Sequence, residues 1–253
     1  MATYLITGTS RGLGLAIITH LSTLPSSQIS TIFALARTES PALKSLVEKA
    51  DGRVVLVKAD VTNEESIKKA AVEVDGFLGG KGLDVLVNNV GIMGFSPGGI
   101  VGMDDLSNHF TVNVLSAHWT TRTFMPLLEK GALKKVVNIT TTLGSFGLAP
   151  QYTLSPAPAY KISKAALNML TVQYAMDYAE KGFTIFALSP GWLKTDLGGG
   201  DMADLPAEVG AKASLDRIFA ATKEDNGQFL NIAVEGYENV AGPNKYNGLN
   251  PPW

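Results

Sequence analysis

Tyr4-Leu5-Ile6-Thr7-Gly8-Thr9-Ser10-Arg11-Gly12-Leu13-Gly14 decides how this chain is read. Tyr4 to Thr7 is a short apolar strand. Apolar residues then recur at helical spacing from Leu13 to Leu24 and stop at Pro25. Between the two stand Gly8, Gly12 and Gly14. Glycine permits a tight turn there and lets a pyrophosphate approach the helix N-terminus, where unpaired N–H groups favour an anion. Glycines alone often make only turns. Between a first strand and a first helix they predict a nucleotide-binding loop.

Outward from this unit the same alternation continues. Strands are predicted at Thr31 to Ala36, Val54 to Lys58, Leu83 to Val87, Lys135 to Ile139, Phe183 to Leu188 and Gln228 to Ile232. Helices are predicted at Pro41 to Ala50, Asn63 to Phe77, Leu106 to Glu129, Tyr160 to Glu180 and Ala207 to Ala221. Pro41 suits a first turn and Asn63 an N-cap. Strands joined by helices imply parallel pairing with right-handed crossovers. No linker, repeat or low-complexity segment divides residues 1–253, which read as one domain. The tail from Gly236 to Trp253, rich in Gly, Pro and Asn, is expected to be an irregular surface segment.

Composition narrows the function. With 253 residues and 45% hydrophobic content the chain can bury a large core. A net charge of −2 leaves no basic footprint for nucleic acid. The absence of cysteine excludes disulfides, zinc–thiolate sites and thiol catalysis. The N-terminus lacks a basic region and a long apolar run, so it reads as a strand and not a signal peptide. No stretch is apolar enough to span a membrane. A cytoplasmic location is expected. His20, His109 and His118 do not cluster, so no metal site is expected, and Asp104-Asp105 reads as a helix cap.

The chemistry is concentrated in Ala159-Tyr160-Lys161-Ile162-Ser163-Lys164-Ala165. Tyr160 and Lys164 are four residues apart and share one helix face. A free phenol, with a pKa of about 10, is a poor acid or base at neutral pH. A nearby ammonium favours the phenolate, and reaching about 7 takes roughly 4 kcal/mol. Such a group suits proton exchange with a carbonyl/alcohol pair.

Gly-x-x-x-Gly-x-Gly, set in register with this pair, resembles the short-chain dehydrogenase/reductase family. Further motifs stand in the family's order. Asp60 follows the third strand, Asn88-Asn89-Val90-Gly91 the fourth, and Asn113 lies in Val112-Asn113-Val114. Pro190-Gly191-Trp192-Leu193-Lys194-Thr195 follows the sixth. This last segment and Glu224-Asp225-Asn226-Gly227-Gln228-Phe229-Leu230 look like the carbonyl-reductase branch. The resemblance covers nearly the whole chain. It implies a single-domain α/β Rossmann fold, a doubly wound parallel sheet of about seven strands. It also implies NAD(H) or NADP(H) held by Gly8, Ser10, Arg11, Gly12, Leu13 and Gly14, with Asp60 and Val61 at the adenine. Asn89, Gly91, Tyr160 and Lys164 continue the cofactor site, and Pro190, Gly191, Leu193 and Thr195 hold the nicotinamide carboxamide. Among catalytic residues it implies Tyr160 as proton donor, Lys164 beside it, and Asn113 positioning a water.

Charge then selects the cofactor. NAD-preferring members place an acid after the second strand. Here Arg37 stands there, and Arg11 sits in the glycine loop. Guanidinium groups recognise a 2′-phosphate, so NADP(H) is expected. The family's catalytic serine is replaced in Asn138-Ile139-Thr140-Thr141-Thr142, and the position falls on Thr141. Threonine keeps the hydroxyl. Ser145 is the alternative if the loop folds inward. The long interval 141–159 and the Gly-rich segment 197–206 are expected to shape the substrate mouth, with Trp192, Trp119 and Phe146 as candidate lining.

The expected protein is an NADPH-dependent reductase of a neutral, apolar or aromatic ketone or aldehyde, with a secondary-metabolite ketoreductase as one version. Two other readings stand beside it: an NADP-binding sensor or scaffold, and isomerase or cyclase chemistry in the same pocket. The family resemblance also implies a homodimer or homotetramer through the helices 106–129 and 160–180. Trp119, Phe124, Leu170 and Tyr174 are apolar residues expected on the outer faces of these helices, though some of them must face the core.

Overall fold

The structure, a computed structural model, describes residues 1–240 and 242–253. β1 (Ala2–Thr7) leads through the glycine loop into α1 (Gly12–Thr23). β2 (Ile29–Ala36), α2 (Pro41–Lys49), β3 (Val54–Lys58) and α3 (Glu64–Leu78) complete the first half. β4 (Val85–Asn88), α4 (Leu106–Phe110), α5 (Ser116–Lys130), β5 (Lys135–Ile139), α6 (Pro158–Asp177) and β6 (Thr184–Ser189) follow. β7 (Leu193–Lys194), β8 (Leu205–Pro206), α7 (Ala207–Ala220) and β9 (Phe229–Asn231) close the fold.

Seven strands make one parallel sheet in the order β3-β2-β1-β4-β5-β6-β9, while β7 and β8 pair separately. The order reverses beside β1, and in such sheets the crevice at the strands' carboxyl ends takes the ligand. Successive residues of β1 enter opposite layers. Tyr4 and Ile6 pack with Ile17, Ile18, Leu215 and Ile218 of α1 and α7. Leu5 packs with Ile67, Val74, Phe124 and Leu128 of α3 and α5. Each such buried side chain contributes about 1.5–3 kcal/mol.

Local signals set the helix ends. The Ser40 side chain accepts from Leu43 N–H with Pro41 in the first turn, and Asn63 accepts from Ser66 N–H. α3 stops at Gly79, whose φ of 57° favours glycine. The predicted helix 106–129 is interrupted: residues Thr111–Leu115 form a π turn between α4 and α5. Asp105 does not cap α4 with its side chain. It pairs instead with buried His109 at 3.2 Å.

Two expectations need correction. Phe124 is fully buried, and Trp119 and Tyr174 pack against that core, so they are not an outer face. Apolar exposure on these helices belongs to Leu115, Ile162, Met169 and Met176. The tail is irregular, but it is not simply surface. Tyr246 is buried, Trp253 stacks on Phe229 with ring centroids 5.5 Å apart, and Ala233 bridges Asn247. Composition predicts lack of regular structure but says nothing of what the segment packs on. Ala241 in this tail lies outside the described residues. Among the described residues no helix is long and apolar enough to cross a membrane.

Candidate active site

The loop between β1 and α1 is a cradle without side chains. Gly8 and Gly12 have φ of 72° and 57°, a region that strongly favours glycine. A Cβ at Gly14 would lie 2.3 Å from the Gly8 carbonyl oxygen. Asn89 secures the loop from β4: its Nδ2 donates to the carbonyls of Thr7 and Gly8 at 2.9 and 3.3 Å. Its own N–H donates to Thr7 Oγ1 at 2.9 Å. The start of α1 has no side-chain cap and no acid in its first turn. Its N–H groups and positive dipole end are therefore open to an anion. These features fit a pyrophosphate.

At the outer end, Arg37, Lys58, Ala59, Asp60 and Ser66 line an open hollow of about 310 Å³. Asp60 Oδ1 accepts from Thr62 Oγ1 at 2.6 Å and Thr62 N–H at 2.9 Å. The Thr62 hydroxyl is the main cause that holds this carboxyl below its usual range; burial opposes it and Arg37 adds to it. Arg11 does not join this hollow. Its Nη1 pairs with Asp196 at 2.9 Å, both side chains exposed, and so ties the glycine loop to the segment after β7. Lys58 was missed in the sequence. The parallel register sets Ala36 against Lys58, bringing it beside Arg37, and only the strand alignment could have shown that.

The inner end gathers the remaining candidates. Lys164 is buried, and its Nζ donates to Ile139 O at 2.8 Å. The same Nζ lies 5.9 Å from the Tyr160 ring centroid. A Cβ at Gly91 would lie 3.4 Å from both Lys164 Nζ and Asn113 Oδ1, so the three groups form one cluster. Asn113 sits in the π turn. It accepts from Ile92 N–H at 2.8 Å and donates to Ile92 O at 3.0 Å and Ser163 Oγ at 2.9 Å. Ser163, one residue before Lys164, is another contributor that spacing alone did not reveal.

The electrostatics of the protein alone run opposite to the expected pairing. Burial pushes the Tyr160 phenol up and the Lys164 ammonium down to about 8. Burial disfavours both charged forms, and at this separation it outweighs their attraction.

Thr141 is half-buried at the start of a 3₁₀ turn, and its Oγ1 accepts from Leu143 N–H at 3.3 Å. Among the described residues its hydroxyl donates to nothing. Ser145 is fully engaged: its Oγ donates to Pro252 O at 2.6 Å and accepts from Leu148 N–H at 3.0 Å. Thr195 packs over the glycine loop, 3.5 Å from where a Gly12 Cβ would stand. Leu193 is buried, and Gly191 takes a φ of 87°. Trp192 Nε1 donates to Gly198 O at 2.7 Å, while Phe146 is exposed and Trp119 belongs to the core.

A model of the short chain dehydrogenase family matches residues 2–205. The short-chain dehydrogenase/reductase AacuF of Aspergillus aculeatus is 38% identical over 202 residues, 76% of this chain and 74% of its own. The carbonyl reductase from chicken fatty liver, solved with NADPH bound, is 33% identical with a TM-score of 0.83, over 91% of this chain and 96% of that one. The carbonyl reductase Sniffer of Drosophila melanogaster is 27% identical with a TM-score of 0.86, covering 100% of both chains. Since the family match runs from β1 into β8, across the glycine cradle and the Gly91–Asn113–Lys164 cluster just described, the chain belongs to the short-chain dehydrogenase/reductase family.

Proposed function

We propose that this protein is an NADPH-dependent reductase of a neutral, apolar or aromatic ketone or aldehyde. The observation that carries this is the cluster of Gly91, Asn113 and Lys164, with Tyr160 one helical turn before Lys164 and Asn89, two residues before Gly91, bonded to the glycine loop. The likeness to an NADPH-bound carbonyl reductase supports it. Bound NADPH supplies the hydride. Tyr160 gives the carbonyl oxygen its proton. Lys164 holds the nicotinamide ribose and, kept protonated there, draws the phenol toward phenolate. Thr141 donates to the same carbonyl oxygen with its free hydroxyl hydrogen. Asn113 holds the water that resupplies the proton. Pro190, Gly191, Leu193 and Thr195 hold the carboxamide, and Asp60 and Val61 the adenine.

Apolar groups such as Phe95, Phe146, Leu154, Trp192 and Met202 are exposed on the loops 91–98, 141–159 and 191–206. The first two of these loops meet where Ser96 N–H donates to Pro156 O at 2.7 Å. Loops 91–98 and 141–159 carry no charged side chain, and in 191–206 Asp196 pairs with Arg11, Lys194 with Asp201, and Asp204 accepts from Tyr246. These loops therefore suit an uncharged substrate, a bulky secondary-metabolite ketone among them. NADPH oxidation across a ketone panel tests the reading, and absence of turnover with every ketone ends it.

Arg37 and Lys58 serve the 2′-phosphate. Arg37→Ala should weaken NADPH binding by about 1.5–3 kcal/mol, the scale of one hydrogen bond to a charged group. NADH binding should hardly change. Equal losses in titrations of both cofactors, or a wild-type preference for NADH, contradict this assignment.

The proposed assembly is a dimer or tetramer through α5 and α6, where Met169 and Met176 are exposed. Light scattering at micromolar concentration should find no monomer; a monomer refutes it.

A further inference from the structure

A hydrogen-bonded chain of side chains joins the two loops that flank the reacting centre. Thr142, next to Thr141, pairs its hydroxyl with Tyr152 Oη at 2.6 Å. Tyr152 Oη donates to Asn244 Oδ1 at 3.0 Å, and Asn244 Nδ2 donates to Asp204 Oδ2 at 3.0 Å. From the other side, Trp192 N–H donates to Tyr246 Oη at 3.2 Å, which donates to the same Asp204 oxygen at 2.5 Å. Because the Tyr152 proton goes to Asn244, the Thr142 proton goes to Tyr152. Every proton then has one acceptor, and both arms end on one carboxylate oxygen. Hydrogen bonds to a charged acceptor are the stronger kind.

A second set of bonds holds the same loop. Pro252 O accepts from Ser145 Oγ at 2.6 Å, and Trp253 O accepts from Gly147 N–H at 2.9 Å. Trp253 is itself seated on the Phe229 ring of β9. Tyr246 fills the space beside Gly191, where a Cβ would meet its ring at 2.8 Å. The partners Tyr152–Asn244 and Ser145–Pro252 lie 92 and 107 residues apart in sequence. Local folding does not bring them together.

We infer that residues 244–253 form a clamp that sets the width of the substrate mouth, with Tyr152 and Tyr246 as positioning residues. The inference rests on the reductase reading of the site. The clamp fixes the loop that carries Thr141 against the segment after β6. An apolar ketone is held by shape, so loosening either phenol weakens ketone binding more than it disturbs the cofactor or Tyr160.

The test compares wild type, Tyr152→Phe, Tyr246→Phe and the double variant with acetophenone and the bulkier benzophenone. Each single change should raise the acetophenone KM about tenfold, the effect of a lost positioning hydrogen bond. The change in KM should exceed any change in kcat or NADPH affinity, and benzophenone should lose less. Residues of one network are non-additive, so the double variant should be no worse than the worse single one. Hydrogen exchange at the Gly147 and Leu148 amides should quicken in Tyr246→Phe, although residue 246 touches neither. Multiplying KM effects, equal losses in kcat and NADPH binding, or unchanged exchange in that variant overturn the clamp. A wild type that binds NADPH but reduces no ketone ends the reductase reading, while the exchange result still decides the clamp. Should Tyr246→Phe not fold, Tyr152→Phe and Ser145→Ala carry both readouts.

Discussion

Tyr160→Phe should lower kcat for ketone reduction by about 10²–10⁴-fold, the usual contribution of a positioned general acid. NADPH binding should survive, because the ring remains and only Oη is lost. The residue is buried, and its phenol is pushed up by that burial alone. A raised phenol keeps its proton but is a weaker acid, so efficient donation depends on Lys164 staying charged beside it with the cofactor in place. Single-turnover reduction under saturating NADPH reads the effect directly. Near-normal turnover by the variant removes Tyr160 from the mechanism.

The second large effect concerns Thr141. Thr141→Val keeps the shape and removes the donor. It should cost about 2.7–4 kcal/mol in the barrier if the hydroxyl acts as an oxyanion donor does. Thr141→Ser should retain activity and accept larger substrates, since the methyl is what crowds the pocket. Ser145→Ala should leave kcat near wild type, because its hydroxyl already serves the Pro252 carbonyl and the Leu148 amide. A silent Thr141→Val together with a crippled kcat in Ser145→Ala transfers the role to Ser145. If both are silent and the wild type reduces no ketone, the non-redox readings gain.

The glycine loop, the strand–helix alternation and the Tyr160–Lys164 pair were legible because each is local: a few neighbouring residues determine the conformation. Parallel pairing followed from connectivity, since strands joined by helices need crossovers. What sequence could not show was set by distance along the chain. Lys58 reaches Arg37 only through the β2–β3 register. Arg11, expected as a second phosphate ligand, pairs here with the exposed Asp196, 185 residues away. The direction of the Tyr160 and Lys164 shifts depended on depth of burial, which spacing does not measure. The tail read as surface because its composition forbids a helix or strand, yet Tyr246 needed no regular backbone to become core.

The π turn at Thr111–Leu115 has a consequence for how this protein varies. Such a turn amounts to one extra residue in a helix, and each residue of a helix advances the azimuth by about 100°. Everything after Leu115 is therefore rotated by that amount relative to an uninterrupted helix from Leu106. Phe124 and Leu128 meet the sheet only at this rotated phase. The π turn that sets Asn113 against Ile92 and Ser163 and the phase that seats α5 in the core are thus one geometric variable. Straightening the helix to abolish the Asn113 environment would swing Phe124 out of the interior, so drift at the site and drift in the packing cannot proceed independently along this segment.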